Sequence, residues 1–343
     1  MTGADRHALL ELAPFLDSVN LPADDPDAID EVILASERSF SGEEPDAARR
    51  QYTFAIEHRP SGRIVGTSSV TGQAGRRDAP HIYFDVRTEE RYSETLDRHF
   101  RHLKLQIGFS YDGPTALGGL VVHPDHRRTA HRVGSQIAFV RFLFVAMHRG
   151  AFQDRMVAEL LPPLEPDGTS HLWEAVGRHF TGLSYREADR LSKKNKEFIR
   201  GLFPDGDIYV SLLPSQAQTV IGQVGPQTRG VAKMLSQVGF RYANRVDPFD
   251  GGPYFEATTD GVQAIQRARP VEARPGAESG GPRALLGLRL PEPPWFRAVA
   301  APHQLVDAGR VALVPADALR ALADGGHLSC PLWLLPLQPP GPR

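Results

Sequence analysis

The chain has 343 residues, 41% of them hydrophobic and 23% charged, with a formal net charge of −2, which suits a globular main domain with an appendage. The near-neutral charge excludes a global attraction to nucleic acid or acidic membranes. The lone cysteine, Cys330, excludes an intrachain disulfide, a thiolate zinc site and a CxxC pair, and without a run of roughly 20 apolar residues or a basic-then-apolar leader the cytoplasm is the expected location.

From residue 51 to 58 apolar residues alternate, with Tyr52, Phe54 and Ile56 on one face. Pro60-Ser61-Gly62 then turns into a second strand at 63–70, and the two predict a hairpin. The strongest strand–helix–strand signal follows, with strands at 116–122 and 155–161 around a helix at 133–148. Val133, Ile137, Val140, Phe144 and Met147 recur at helical spacing, while Phe139, Phe142, Leu143 and Val145 fill the other faces. Such a helix is expected to be buried, as a crossover against a sheet is. Residues 162–168 are proline-rich and form a loop. Helices are predicted at 172–180 and 185–202, a strand at 208–212, and helices at 215–223 and 227–238. Gly239 ends the last helix before a strand begins at Phe240.

Residues 270–282, rich in proline, glycine and alanine, read as a linker. Beyond them, apolar runs at 284–290 and 310–314, a helix at 316–323 and a final strand at Leu332-Trp333-Leu334-Leu335 predict a small β-rich module. The expected division is a main domain at 1–269 and a module at 283–343.

Three places carry chemistry. His123 to Ser135, H-P-D-H-R-R-T-A-H-R-V-G-S, sets Arg127, Arg128, His131 and Arg132 between an apolar strand and an apolar helix. Helix-start amides with cations nearby stabilise phosphate, although a basic run is often only a solvated face. Glu159 stands in R-M-V-A-E-L-L, a carboxylate on an otherwise apolar strand, which must find a partner or shift its pKa. Amine ligand, base and structural salt bridge all stay open for it. Asp250, in F-D-G-G-P, either binds a cation or serves a plain turn. His179, a lone histidine near a helix end, is a weaker candidate.

Two strings, Ile221-Gly222-Gln223-Val224-Gly225-Pro226-Gln227-Thr228 and Phe249-Asp250-Gly251-Gly252-Pro253, resemble the arginine N-succinyltransferase family. Leu172-Trp173-Glu174, Ala188-Asp189 and Ser215-Gln216-Ala217 extend the resemblance along essentially the whole chain. The hairpin ending G-x-I-V-G and the V-x-P-x-x-R entry to the buried helix are similar to the wider GNAT acyltransferases. The resemblance implies a mixed α/β, GNAT-like fold with a small C-terminal β-rich module. It implies transfer of a succinyl group from succinyl-CoA, a co-substrate, to the α-amine of L-arginine in arginine catabolism, with no permanently bound cofactor and no metal. It also implies Leu120 and Val122 along the acyl-pantetheine arm, and Arg128, Arg132, Gly134 and Ser135 at the pyrophosphate. Asp250 and Gln227 then face the amine substrate.

The chain departs from the family in several places. A histidine thought to donate a proton stands where this chain has Gly225, so the catalytic residue is unassigned and Glu159 is the remaining candidate. General acid catalysis contributes about 10²- to 10⁴-fold, and a histidine is expected to fit at position 225 because family members hold one there. The basic loop is longer than the family's and keeps only Gly134 of its glycine pair. Leu161-Pro162 replaces an arginine-glycine pair, and the family's opening strand has no counterpart in Met1-Thr2-Gly3-Ala4-Asp5. Two further readings stay open: a non-catalytic subunit, in a homo- or hetero-oligomer with a histidine-bearing paralogue, and an acyltransferase for a different amine. No nucleic-acid or membrane partner is expected.

Overall fold

The computed structural model describes residues 1–16, 25–77, 79–165, 167–276, 281–323 and 331–337; Cys330 lies outside them. Two units divide the chain, one formed by residues 1–72, 117–154 and 259–343 and the other by residues 73–116 and 155–258.

In the first unit the alternation at 51–58 becomes the strand Gln51–His58, paired antiparallel with Arg63–Thr71. Strand Thr115–Val122 lies beside Arg63–Thr71. The helix Val133–Met147 packs on this sheet with every residue from Ile137 to Val145 buried, as its all-round apolarity predicts. Phe144 sits at the centre of a ring cluster with Phe40, Tyr52, Phe54 and Phe296, at centroid distances of 4.8–5.4 Å. Phe40 comes from a helix the sequence reading left unassigned, Pro26–Ser41, which Asp25 caps by accepting from the Ala28 amide and which Gly42 ends at φ 87°.

The same unit holds a six-stranded mixed sheet, in the order Phe296–Pro302, Arg283–Arg289, Leu332–Pro336, Arg269–Pro275, Val311–Val314, Gln304–Val306. The stretch expected to be a linker is therefore in part a strand. Arg269–Pro275 pairs parallel with Val311–Val314 and antiparallel with Leu332–Pro336. Its prolines stand near its two ends, where a missing N–H costs the ladder least. Residues 277–280 of the expected linker lie outside the described residues. The strand Phe296–Pro302 was not anticipated; the helix Ala316–Ala323 was.

The second unit is an antiparallel sheet in the order Arg155–Glu159, Pro253–Thr258, Arg241–Val246, His81–Ser93, Arg98–Ser110, Ile208–Tyr209. Its central hairpin joins two 13-residue strands, His81–Ser93 and Arg98–Ser110. Past Val86 and Leu105 both faces carry exposed charged residues, so the alternation that signals a strand stops there and the hairpin escapes a sequence reading. Phe84, Leu105, Leu172, Trp173, Ile199, Phe203 and Phe249 form the core. The Trp173 ring stacks on Phe249 with centroids 5.0 Å apart and planes 5° from parallel.

Several elements are shorter than expected. The 155–161 strand ends at Glu159. The 208–212 strand is Ile208–Tyr209 followed by a 3-10 turn, and the helix beginning at Ser215 ends at Val220. The 185–202 helix is two helices, Tyr185–Lys194 and Glu197–Leu202. Asn195 breaks it, with extended backbone and a side chain that accepts from the Glu197 amide at 2.8 Å. Asparagine competes for backbone amides in this way and favours helix starts over interiors.

Candidate functional site

In the first unit, strand Thr115–Val122 is kinked at Gly119, which holds φ 57°. A Cβ there would stand 2.8 Å from Ser69 Oγ, so the kink requires glycine. Leu120, partly buried, and Val122, buried, follow the kink. A short turn at Pro124–His126 comes next, and Arg127 Nε ties the loop back to the Val122 carbonyl at 2.8 Å. Arg128 and Arg132 hold left-handed backbone, at φ 57° and 51°, at a cost of roughly 1–2 kcal/mol each outside glycine. Such strain is kept where a segment must be presented in one shape.

Arg132 precedes the helix Val133–Met147, and its donor-only guanidinium cannot cap the first-turn amides, so the positive end of the helix dipole there suits an anion. Gly134 is exposed, and a Cβ on it would meet only Val122 Cγ2, at 3.9 Å. Arg132, Gly134 and Ser135 thus stand at one helix start, with Arg128 in the loop that leads to it from the strand carrying Leu120 and Val122. Amides, dipole and guanidinium groups there can hold a phosphate.

The second unit gathers acids. Glu159, last residue of its strand, keeps 47% of its side-chain surface, yet protein hems it in on its other sides. Burial, then the neighbouring Asp247 charge, push its carboxyl up to about 7, while Lys196 and the Tyr254 hydroxyl pull it down. Its Oε1 lies 3.6 Å from Nδ1 of His81, a buried ring that stacks on Tyr254 at 5.4 Å. Burial, aided by Lys196, Arg245 and Arg155, pushes His81 down to about 3, so it stays neutral. Its Nε2 is buried with no hydrogen-bond partner among the described residues.

Asp247 accepts from the Phe249 amide at 2.6 Å and from the Tyr254 hydroxyl at 3.3 Å. Asp250 is buried and accepts from the Gly252 amide at 2.7 Å, closing its own turn. Burial raises both carboxyls, and Asp250 further through the charge of Asp247. Three mutually repelling carboxyls held this way titrate together and favour a bound cation or shared protons.

Gly225 lies in a tight contact of the same unit. Its amide donates to Leu161 O at 2.8 Å, Thr228 Oγ1 donates to Leu161 O at 2.9 Å, and Gln227 Nε2 donates to Pro162 O at 3.4 Å. A Cβ on Gly225 would stand 2.5 Å from Pro162 O. The expectation that histidine fits here is thereby corrected: the 161–162 backbone fills that space. Gly252 is equally constrained, since a Cβ there would meet Leu160 O at 2.2 Å. His179 lies near the end of the short helix Arg178–Thr181, exposed. Sequence reasoning missed His81, Asp247 and Tyr254: Asp247 meets Tyr254 across a turn, and His81, far from both in sequence, reaches the Tyr254 ring only in the folded sheet. The repeated acids in D-P-F-D were the one signal available.

Residues 1–264 match the family described as arginine N-succinyltransferase beta subunit. The beta subunit of arginine N-succinyltransferase from Pseudomonas aeruginosa is 34% identical over 272 residues, covering 78% of each chain. The alpha subunit from the same organism is 34% identical over 279 residues, covering 80% of this chain and 81% of the relative. Arginine N-succinyltransferase of Escherichia coli K12 is 32% identical over 281 residues, covering 81% and 80%. The solved structure of arginine/ornithine succinyltransferase subunit AI from Pseudomonas aeruginosa superposes with a TM-score of 0.83 at 30% identity, covering 99% of this chain and 98% of that one. With a mixed α/β fold shared over nearly its full length and a family match spanning most of its sequence, the chain belongs to the arginine N-succinyltransferase family.

Proposed function

We propose that this chain transfers the succinyl group of succinyl-CoA to the α-amine of L-arginine, releasing CoA and N2-succinyl-L-arginine. The observation that carries this reading is the match, over about four-fifths of the chain, to relatives named for that activity. The helix start at Arg128, Arg132, Gly134 and Ser135 takes the pyrophosphate, and Leu120 and Val122 line the acyl-pantetheine arm. Asp250 and Gln227, in the second unit, are assigned to the amine substrate.

Transfer forms a C–N bond at the thioester carbonyl and breaks the C–S bond. One proton leaves the attacking amine and the thiolate departs. Glu159, titrating close to neutrality and open to solvent on one side, takes the amine proton. A thiol pKa near ~8.5 lets the thiolate leave with water as the acid, so Gly225 does not preclude turnover. The working location is the cytoplasm; among the described residues no helix is long and apolar enough to cross a membrane.

The test follows free thiol on mixing the purified chain with succinyl-CoA and L-arginine. Arginine-dependent release supports the reading. Release that ignores arginine but responds to another amine moves the acceptor. A second reading, a subunit working beside a paralogous chain, is favoured by one observation: relatives named subunit alpha and subunit beta match equally well, at 34%. Silence of the lone chain, with activity restored on adding such a paralogue, would select it.

A further inference from the structure

Three imidazoles crowd together in the first unit, along the loop that leads to the helix start. His58 ends the strand Gln51–His58, and His126 closes the short turn Pro124–His126. Their ring centroids stand 4.9 Å apart. His123, just before the turn, lies 6.3 Å from His126 and meets the Phe15 ring edge-on at 5.0 Å. All three histidines are half-buried, and each keeps a nitrogen free to donate. His58 Nδ1 pairs with Ser61 Oγ at 2.9 Å, and His123 Nδ1 accepts from the Asp125 amide at 3.4 Å, which leaves Nε2 in both. Among the described residues the His126 side chain makes no hydrogen bond. Among them, too, the only carboxylate paired with these rings is the exposed Asp125, 3.6 Å from His123 Nδ1, whereas Arg59, Arg127 and Arg128 adjoin them in the chain. Imidazoles this close repel one another once charged, and an anion among them reverses that cost.

We propose that His58, His123 and His126 bind a phosphate monoester, the one that CoA carries on its ribose. The proposal rests on the acyl-CoA reading above and deepens it, since that reading places only the pyrophosphate. His126 is two residues from Arg128, where the pyrophosphate cradle begins, a span of at most about 7 Å. Six covalent bonds separate the ribose-bound phosphorus of CoA from the nearer phosphorus of its pyrophosphate, also at most about 7 Å when extended. With the pyrophosphate at Arg128, the monoester therefore falls within reach of the histidines. A phosphate monoester is close to doubly charged at neutral pH and offers three acceptor oxygens. Separate imidazoles can each donate to a different oxygen and gain their own proton in doing so, and hydrogen bonds between ions are the strong ones. Dephospho-CoA, identical but for that group, leaves the rings with no anion.

The test is calorimetric titration of the full chain with CoA and with dephospho-CoA near neutral pH. The wild type is expected to bind CoA at least about tenfold more tightly, the worth of one charge-assisted hydrogen bond. His58→Ala and His126→Ala should each shrink that ratio severalfold, and the double variant should bring it near one. His126→Arg, which keeps a cation, should retain most of it. Arg128→Ala should weaken both ligands alike and leave the ratio unchanged. Equal affinities in the wild type, or a ratio that survives in the folded double variant, would overturn the proposal and leave the acyl-CoA reading standing. A ratio that falls with Arg128→Ala and not with the histidine variants would overturn it too. Binding of neither ligand would overturn both. The rings are partly open to water, so the variants are expected to fold; should circular dichroism show otherwise, the wild-type ratio decides.

Discussion

The carbonyl oxygen of Pro162 occupies the place where a side chain at Gly225 would begin, 2.5 Å from an ideal Cβ, with Leu161 O only 2.8 Å away. Both neighbours are backbone, and Gly225 itself is tied to Leu161 O by its amide, so neither partner yields by rotating a side chain. Gly225→Ala and Gly225→His are each expected to lose about 1–3 kcal/mol through overpacking, with no gain in arginine-dependent thiol release. Urea unfolding beside the thiol assay checks this. A stable histidine variant with faster turnover would mean that the 161–162 segment moves aside.

Glu159→Gln tests the carboxyl that burial pushes up to about 7. A folded-state pKa above the unfolded value contributes stability that is fully present below pH 4.5 and lost as pH rises through 7. The variant lacks this loss. Relative to wild type its melting temperature should climb between pH 4.5 and 7 and stay level above. Because nearly half the side chain meets water, the gain is about 1 kcal/mol after solvent screening, or roughly 2–4 °C. Turnover should fall about 10²-fold if Glu159 is the base.

His81 runs the opposite way. Its folded pKa, about 3, lies below the unfolded 6.5, so the stability of the neutral buried ring is present above pH 6.5 and drains away as pH falls toward 3. The groups around it are Glu159, Tyr254, Lys196, Arg245 and Arg155. His81→Phe keeps an aromatic ring against Tyr254 and removes the titrating nitrogens. It should flatten the acid limb of the stability profile by on the order of 3 kcal/mol, read by denaturant melts from pH 4 to 8. An unchanged limb would place the acid sensitivity elsewhere.

At the helix start, Arg128→Ala should weaken CoA binding about tenfold, the worth of one charge-assisted hydrogen bond, and make binding less sensitive to salt. Gly134→Leu starts with only an ordinary contact to Val122 Cγ2, at 3.9 Å, so it should leave the melting temperature within about 2 °C while its side chain crowds the phosphates and cuts affinity similarly. Calorimetry with CoA at two salt concentrations checks both. Undiminished affinity in the two variants would move the pyrophosphate to another surface.

What the sequence made legible follows from periodicity. The 51–71 hairpin could be read because the apolar residues of 51–58 alternate ahead of a turn, and the buried helix at 133–147 because it is apolar on nearly every face. The hairpin at 81–110 could not, because its outer half carries charge on both faces. Pro270 and Pro275 disguised a strand as a linker. Of the site, the basic helix start was legible since its residues are consecutive. The Glu159 surroundings were not: His81 reaches it from another strand, and nothing in A-P-H-I-Y marks that histidine as a neighbour. The meeting of His58 with His126 was hidden for a related reason, one ending a strand and the other lying in a turn far along the chain. The Gly225 contact also escaped, because close packing of backbone on backbone leaves no trace in residue types.

The strand Arg269–Pro275 lies between two neighbours, Val311–Val314 and Leu332–Pro336, that are both made after it. During translation it leaves the ribosome with neither present. The helix Val133–Met147, which also touches Leu332–Pro336, waits still longer with part of its apolar surface uncovered. Folding of this unit therefore waits for residues 311–314 and 332–336, and until they are made the nascent chain carries Arg269–Pro275 as an unpaired strand. A premature stop just before Leu332 would remove an interior strand rather than a tail, stripping Arg283–Arg289 and Arg269–Pro275 of the partner they share.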